Sequence, residues 1–355
     1  MASLAAPMAT ATPLLTCVQN QLAELGHDPG PADGQPGPAT AAAAALHQDG
    51  GETLPPLRTD TAQIWCRALG MTAPALQAHW PARQDDLIWV PDDLRNGPGF
   101  AILENARDAA RAFYLERYGH QIAGDFAILG GDDPRALEQA ALARRKTTGR
   151  STRDMFRTPM QCGSQRAPRA RAYRDMAMLC WAAPPAYDAG WRAANQVWWA
   201  RIVVHEYLHG IQNELLGGDF RRRLPSGQRA LGPMWLVEGA AEVFEEEYFA
   251  LHSRFNEYSI GTHTRRARES IKRLADMHQR VVGRDYDVAQ FAAHLLGERF
   301  GRKALIDYFG ALQTSDSWDA AFRKTFGMSL DAFEQEFETM RSNLVLSYTF
   351  AKGLE

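Results

Sequence analysis

The chain has 355 residues and a formal net charge of −3, with 45% hydrophobic and 23% charged residues. This composition is that of a globular protein with room for two or three structural units, and it excludes a disordered or fibrous chain. The small net charge argues against nucleic acid as a partner, and the lack of an apolar run of about 18 residues argues against an integral membrane segment.

The first 70 residues combine helical periodicity with turn-forming residues. Apolar residues at helical spacing predict a helix over residues 14–25, and two further helices are predicted near 40–46 and 59–69. Glycines and prolines break the pattern between the first two helices. Residues 71–84, with two prolines, have the composition of a linker.

The turn between the first two helices carries a recognisable order of residues. That order is Val18-Gln19, Leu25-Gly26, Asp33-Gly34, Gly37-Pro38 and Thr40. It resembles the peptidoglycan-binding-like domain, over residues 12–70, and the resemblance implies a small three-helix bundle. Such modules attach enzymes to the bacterial cell wall or serve as spacers, so peptidoglycan as a partner and a purely structural role both stay open.

The remainder of the chain predicts a small sheet followed by helices. The predicted order is a strand at 86–90, a helix at 99–118, a strand at 125–129, a helix at 134–146 and a strand at 176–181. Basic residues dominate from Arg144 to Arg174 without clear periodicity. They could form a solvated surface or a patch that contacts an anionic substrate. We therefore expect an α+β protein whose second domain, at 85–350, has a small sheet and a mainly helical C-terminal half.

The four cysteines form an even set without a Cys-x-x-Cys pair. The simplest expectation is local pairing of Cys17 with Cys66 and of Cys162 with Cys180. The alternative is four buried free thiols. Disulfides would imply an oxidising compartment and hence a periplasmic or secreted protein. The first sixteen residues contain no Lys or Arg, so they lack the basic start of a secretory signal.

Residues 205–209 contain the motif His-Glu-x-x-His within a helix predicted over 202–215. Because positions i and i+4 share one helix face, His205 and His209 can bind one Zn²⁺ together. Glu206 lies between them and can act as the general base toward a water molecule at that ion. The motif therefore indicates a zinc hydrolase.

A catalytic zinc ion normally takes three protein ligands, and Glu238 can supply the third. A rival class of zinc peptidases needs a further histidine in His-x-x-Gly-x-x-His, but Gln212 and Leu215 occupy the positions that would identify it. The two motifs, at 205–209 and 235–242, resemble the gluzincin or thermolysin-like metallopeptidases. The resemblance covers about residues 85–345.

The gluzincin resemblance implies roles for two more residues. An acid one turn beyond the third ligand orients a zinc-bound histidine in that group, which implies this role for Glu242. Tyr286 matches a tyrosine near the cleft, where its phenol can donate a hydrogen bond to a developing oxyanion; a packing role is the alternative.

The expected activity is hydrolysis of a peptide bond in a peptide or protein, as an endopeptidase with one zinc ion per chain. Two alternatives stay open. One is a non-catalytic cell-wall-binding protein that uses a gluzincin-like domain as a scaffold, and the other is a hydrolase of a wall-derived amide.

Overall fold

The structure, a computed structural model, describes residues 13–35, 37–48, 57, 65, 69, 88–90, 98–122, 126–147, 160–165, 167–173, 176–184, 189–217, 222–252 and 260–353. These residues form twelve α-helices and a four-stranded sheet. The fold is thus mostly helical with one small sheet, as expected of the α+β class.

The helices and strands follow one another in a simple order. The helices are α1 Pro13–Glu24, α2 Pro38–Gln48, α3 Pro98–Tyr118, α4 Pro134–Thr147, α5 Ala189–Leu215, α6 Met234–His252, α7 Ile260–Glu269, α8 Asp285–Phe300, α9 Arg302–Thr314, α10 Trp318–Phe326, α11 Leu330–Met340 and α12 Leu344–Ala351. A short 3₁₀ helix spans Leu274–Met277. The strands are β1 Ile88–Trp89, β2 Ala127–Gly131, β3 Arg169–Tyr173 and β4 Met176–Cys180.

The chain divides into two compact units. One comprises Met1–Gln84 with Tyr114–His120, and the other comprises Asp85–Phe113 with Gln121–Glu355. In the first unit, α1 and α2 occur where the sequence predicts them. The predicted linker at 71–84 and most of the predicted third helix at 59–69 lie outside the described residues.

Gln19 of α1 organises the turn in the first unit. Its side chain is 1% exposed, and its Nε2 lies 3.1 Å from Asp33 Oδ1 and 3.1 Å from Thr40 Oγ1. The amide of Gly34 donates to Gln19 Oε1 at 2.8 Å, from a backbone with a φ of 73° that favours glycine. The residues that carry the peptidoglycan-binding-like resemblance therefore bond to one another and hold the turn.

The sheet of the second unit has the strand order β1-β2-β4-β3. β1, β2 and β4 are parallel, whereas β3 is antiparallel to β4 and forms an edge. The sequence analysis missed β3, because its Arg-Ala alternation lies in a segment dominated by charge. A half-exposed edge strand can keep charged residues that a central strand would exclude.

The disulfides agree with the predicted pairing as far as the described residues reach. Cys162 is bonded to Cys180 at the end of β4. Cys17 is also disulfide-bonded, but its partner lies outside the described residues, so its pairing with Cys66 stays a prediction. The alternative of free thiols is wrong for Cys17, Cys162 and Cys180.

The helix with the His-Glu-x-x-His motif, α5, is much longer than the predicted 202–215. Tyr207 anchors it, because its hydroxyl accepts a hydrogen bond of 3.2 Å from the Ile122 amide. Gly210 lies on the same side, where a Cβ atom would overlap the Ile122 side chain. These contacts fix the rotation of α5 about its axis. No helix in the described part of the chain is long and apolar enough to cross a membrane.

Helix α6 is held from two directions. At its start, the Trp235 ring stacks on Phe333 with centroids 5.7 Å apart, and its Nε1 donates to Glu334 Oε1 at 2.8 Å. One turn later, Gly239 packs against the backbone of α8, where a Cβ atom would come within 2.6 Å of the carbonyl carbon of Ala289. Only glycine permits this approach.

We expect Gly239→Ala to lower the free energy of unfolding by about 1–3 kcal/mol, because the new methyl group must push α6 and α8 apart. Gly310→Ala in α9 is the matched control, since its Cβ would meet nothing closer than Leu215 Cδ2 at 4.0 Å. That change should leave stability equal or raise it by about 0.5–1 kcal/mol. Urea unfolding measures both, and equal effects would contradict the close packing at Gly239.

Candidate metal centre

Two neighbouring helices bring three predicted metal ligands together. His205 and His209 project from α5, and Glu238 projects from α6. Glu238 Oε2 lies 3.7 Å from His205 Nε2 and 3.6 Å from His209 Nε2. One ligand atom from each of the three residues lies within 4.8 Å of the others. The predicted ligand set is therefore assembled in space.

The spacing of these atoms suits a tetrahedral zinc ion. Ligand atoms bound at about 2.0–2.2 Å in a tetrahedron lie roughly 3.3–3.6 Å from one another. The distance of 3.6 Å lies at the upper end of that range and that of 3.7 Å lies just above it, so binding of the ion would need only a small shift of the ligands. Two imidazoles and one carboxylate also form a common donor set for zinc.

The charges around the site also favour a cation. Burial by itself would lower the pKa of His205, but hydrogen bonds to Glu238 and Glu245 raise that pKa well above its ordinary value. Burial would raise the pKa of Glu238, but the two imidazoles hold it far below its ordinary value. The carboxylates thus stabilise positive charge at the place where the ligand atoms converge.

Glu245 fixes the orientation of His205. His205 Nδ1 lies 2.9 Å from Glu245 Oε2, but 3.7 Å from Glu242 Oε1. A carboxylate accepts a hydrogen bond, so a proton is assigned to Nδ1, and Nε2 on the side of Glu238 is the nitrogen that could bind a metal ion. Glu245, rather than the predicted Glu242, therefore makes the orienting hydrogen bond.

Arg201 in turn fixes Glu245. Its Nε donates to Glu245 Oε1 at 2.5 Å, and its Nη2 donates to Glu246 Oε1 at 2.9 Å. The guanidinium also lies over two rings, 5.7 Å from the centroid of Trp198 and 5.2 Å from that of Phe249. Such a cation held by two acids and two rings has little freedom to rotate. The orientation of His205 thus depends on a chain of contacts.

Gln212 orients the second histidine. Its Oε1 lies 2.8 Å from His209 Nδ1, and its Nε2 donates to the Val237 carbonyl at 3.0 Å. The second contact fixes which end of the amide faces His209, so the amide oxygen accepts from Nδ1. His209 therefore also presents Nε2 toward Glu238, and the link to Val237 joins α5 to α6 beside the ligand.

Glu206 lies at the site with unused hydrogen-bonding capacity. Its Oε2 is buried and has no hydrogen-bond partner among the described residues. Burial raises the pKa of the Glu206 carboxyl, although the imidazoles of His205 and His209 oppose this shift. A buried carboxylate oxygen without a partner is costly unless a ligand or water completes it.

Tyr286 lies in the first turn of α8 and faces the same site. It lines the same cavity as Glu238. Burial raises the pKa of the Tyr286 hydroxyl well above its usual range, and the charges of Glu238 and Glu242 add to the shift. Tyr286 therefore remains a protonated hydrogen-bond donor at neutral pH.

A cavity of about 470 Å³ opens in front of these groups. Its polar wall contains His205, Glu206, His209, Glu238 and Tyr286, and its apolar wall contains Leu231, Met234 and Val237. The edge strand β3 borders it through residues 170–172. The size and the mixture of apolar walls with converging polar groups are typical of a ligand site.

Sequence reasoning found the ligands but missed the residues that orient them. The spacing of these residues along the helices could have identified them as candidates. Arg201 precedes His205 by four residues, Gln212 follows His209 by three, and Glu245 follows Glu238 by seven, so each shares a helix face with its ligand. Only the packing of α5 on α6 shows which candidate on a face makes contact.

Comparison with known proteins gives no match. No family model matches the chain, and neither a curated protein nor a solved structure matches it. The gluzincin-like and peptidoglycan-binding-like resemblances stay predictions from the motifs.

We expect Glu245→Gln to weaken zinc binding by about 10- to 100-fold, because an amide orients His205 less strongly than a carboxylate does. The change also removes one of the two acidic partners of Arg201. Glu242→Gln is the matched control and should weaken binding by less than about threefold, since Glu242 makes no hydrogen bond with His205 in this geometry. Competition with a chromophoric chelator measures both affinities. A larger loss of zinc affinity for Glu242→Gln than for Glu245→Gln would show that Glu242 orients the histidine.

Proposed function

We propose that this protein is a zinc-dependent hydrolase of peptide bonds, with Zn²⁺ held by His205, His209 and Glu238. The observation that carries the proposal is the convergence of these three side chains beside the buried Glu206, whose Oε2 has no partner in the described part of the chain. A structural metal site would use four protein ligands and would need no adjacent base. Three ligands and a free carboxylate suit catalysis better.

Zn²⁺ in this site would act as a Lewis acid and lower the pKa of a water molecule toward about 7. Glu206 accepts a proton from the attacking water and delivers it to the nitrogen of the leaving amine. Burial raises the pKa of Glu206, which brings the carboxyl closer to the range in which it can both take up and release a proton. The two steps together cleave an amide bond.

Tyr286 is proposed as the donor to the substrate. Tyr286 lines the same cavity as Glu238, so its hydroxyl can approach the place where a carbonyl group would bind. A neutral phenol can donate a hydrogen bond to an oxygen that gains negative charge. This role requires only rotation of the hydroxyl or a small shift of the ring.

The edge strand supports a peptide as the substrate. β3 pairs with β4 on one side only, and its residues 170–172 border the cavity. An extended peptide can add to such an edge through backbone hydrogen bonds, which do not depend on a particular side chain. Binding along an open edge allows the peptide to extend past the site in both directions, which favours endopeptidase action.

The disulfides support a location outside the cytoplasm. Cys162 is bonded to Cys180, and Cys17 is also oxidised. Structural disulfides persist in oxidising compartments and are rare in the cytosol. We therefore include a periplasmic or secreted location in the proposal.

We expect the purified protein to contain about one zinc ion per chain, and Glu238→Ala to lose most of it, because two imidazoles alone hold zinc weakly. Glu336→Ala is the control, since Glu336 is exposed on α11 and does not line the cavity. Elemental analysis after dialysis measures both. If wild-type protein neither contains nor takes up zinc, the proposed function is wrong.

We expect Glu206→Gln to keep zinc binding and to reduce hydrolysis by about 10²- to 10⁴-fold, because the change removes the base but no ligand. Hydrolysis of fluorescently labelled casein and zinc content should be measured on the same preparation. Parallel loss of zinc and activity would mean that Glu206 supports the metal instead of acting as the base.

A further inference from the structure

A strongly basic segment precedes α8 in the chain. Residues 264–284 contain seven Lys or Arg residues and two Asp or Glu residues, in a chain whose net charge is −3. Acids next to this segment neutralise only part of it: Asp285 pairs with Lys272 at 2.5 Å, and Asp287 pairs with Arg266 at 3.7 Å. The local charge therefore differs in sign from that of the whole chain.

Several exposed arginines of this segment form no ion pair with an acid in the described part of the chain. Arg280 and Arg284 are exposed, and no Asp or Glu among the described residues forms an ion pair with either. Arg268 donates only to the carbonyl of Ser342, so its charge is also not compensated by a carboxylate. The charges of these guanidinium groups can thus attract an anionic partner.

Large apolar side chains project into solvent beside these cations. Ile271 is 97% exposed and Val282 is 40% exposed, both within the basic segment. Helix α12 adds an outward stripe at positions i, i+1 and i+4, formed by Leu344, Val345 and Tyr348. Val345 is 71% exposed and Tyr348 is 61% exposed. A folded protein gains nothing by exposing such a group of side chains to water.

Hydrogen bonds join the basic segment to α12. Arg268 Nη2 donates to the Ser342 carbonyl at 3.3 Å, and Arg341 Nη1 donates to the Lys272 carbonyl at 2.6 Å. Ile271 lies between the two bonded positions 268 and 272, and α12 begins two residues after Ser342. These hydrogen bonds bring the segment that carries Ile271 next to the start of α12, which carries Leu344 and Val345.

Asp285 links Val282 to the part of the basic segment that contains Lys272. The Val282 amide donates to Asp285 Oδ2 at 3.2 Å, and Lys272 Nζ lies 2.5 Å from that same oxygen. At the far end of α12, the ammonium of Lys352 lies 6.0 Å from the centroid of the Tyr348 ring. We define the basic apolar surface as the set of Ile271, Val282, Leu344, Val345 and Tyr348 with Arg268, Arg280, Arg284 and Lys352.

We propose that the basic apolar surface docks the protein on an anionic lipid bilayer. Guanidinium and ammonium groups would meet lipid phosphates, while the Ile, Val and Leu side chains would enter the boundary between headgroups and acyl chains. The amphipathic ring of Tyr348 suits that boundary. Neither the cations nor the apolar side chains would suffice alone, but the two together provide stable peripheral attachment.

Other partners fit this surface less well. Nucleic acid would use the cations but would leave the aliphatic side chains exposed to water. A second copy of the chain would bring its own cations against these, which costs energy unless acids intervene. A lipid surface satisfies both features, and it requires no helix that crosses the membrane. The proposal does not depend on zinc or on hydrolysis.

The test is sedimentation of the whole protein with vesicles of phosphatidylglycerol and phosphatidylcholine, compared with phosphatidylcholine alone. We expect binding to the anionic vesicles that weakens as salt rises. Replacing Arg280 and Arg284 by Gln should lower the partition coefficient roughly fivefold per cation. Val345→Ser should lower it roughly tenfold, because it removes apolar burial in the bilayer.

Leu251→Ser is the matched control, since Leu251 is also an exposed apolar residue but lies at the end of α6, outside the basic apolar surface. It should bind vesicles as the wild type does, and circular dichroism should show that every variant is folded. Equal binding to neutral and anionic vesicles, or losses no larger for Val345→Ser than for Leu251→Ser, would overturn the proposal. Concentration-dependent dimerisation lost in Val345→Ser, without vesicle binding, would also overturn it and identify a second copy as the occupant.

Discussion

The approach of Glu238 to two imidazoles on a different helix is the contact on which the candidate site depends. Glu238 Oε2 lies 3.7 Å from His205 Nε2 and 3.6 Å from His209 Nε2 across the α5–α6 boundary, so a small shift of either helix would separate them. The core prevents that shift. Tyr207 and Gly210 fix α5, Trp235 fixes the start of α6, and Gly239 lets α6 meet the backbone of α8.

The helix packing also brings several carboxylates into a buried region. Glu206, Glu238 and Glu245 lie close to two histidines, and the one arginine in contact with this group among the described residues is Arg201. Buried carboxylates without compensation are costly, so the protein must protonate the histidines or hold a cation. Zinc would satisfy the second condition and explain why these acids are kept together. The same packing thus provides both the converging ligand atoms and an electrostatic preference for positive charge.

The two motifs of this chain have different explanations in the structure. The N-terminal motif is accounted for by its own hydrogen bonds, because Gln19, Asp33, Gly34 and Thr40 hold one another in a turn. The His-Glu-x-x-His motif is not accounted for in that way, because Glu206 Oε2 has no partner in the described part of the chain. A motif whose polar groups satisfy one another needs no ligand, whereas an unsatisfied one points to a ligand.

The sequence by itself identified the candidate ligands and predicts a class of chemistry. A spacing of four residues places His205 and His209 on one helix face whatever the rest of the fold does, and the main helices and buried strands follow from their periodicity. It also indicated the Cys162–Cys180 pairing, since the two residues are near in the chain. Helix and strand patterns depend on local spacing, so they can be read without a structure.

Only the tertiary structure decided which side chains orient those ligands. Glu242 and Glu245 both lie on the face of α6 that carries Glu238, and the crossing of α5 selects Glu245 as the partner of His205. The edge position of β3 and the patch formed by residues 264–284 with α12 also required contacts between distant segments. These features depend on how helices and strands pack, and a pattern of neighbouring residues contains no measure of that packing.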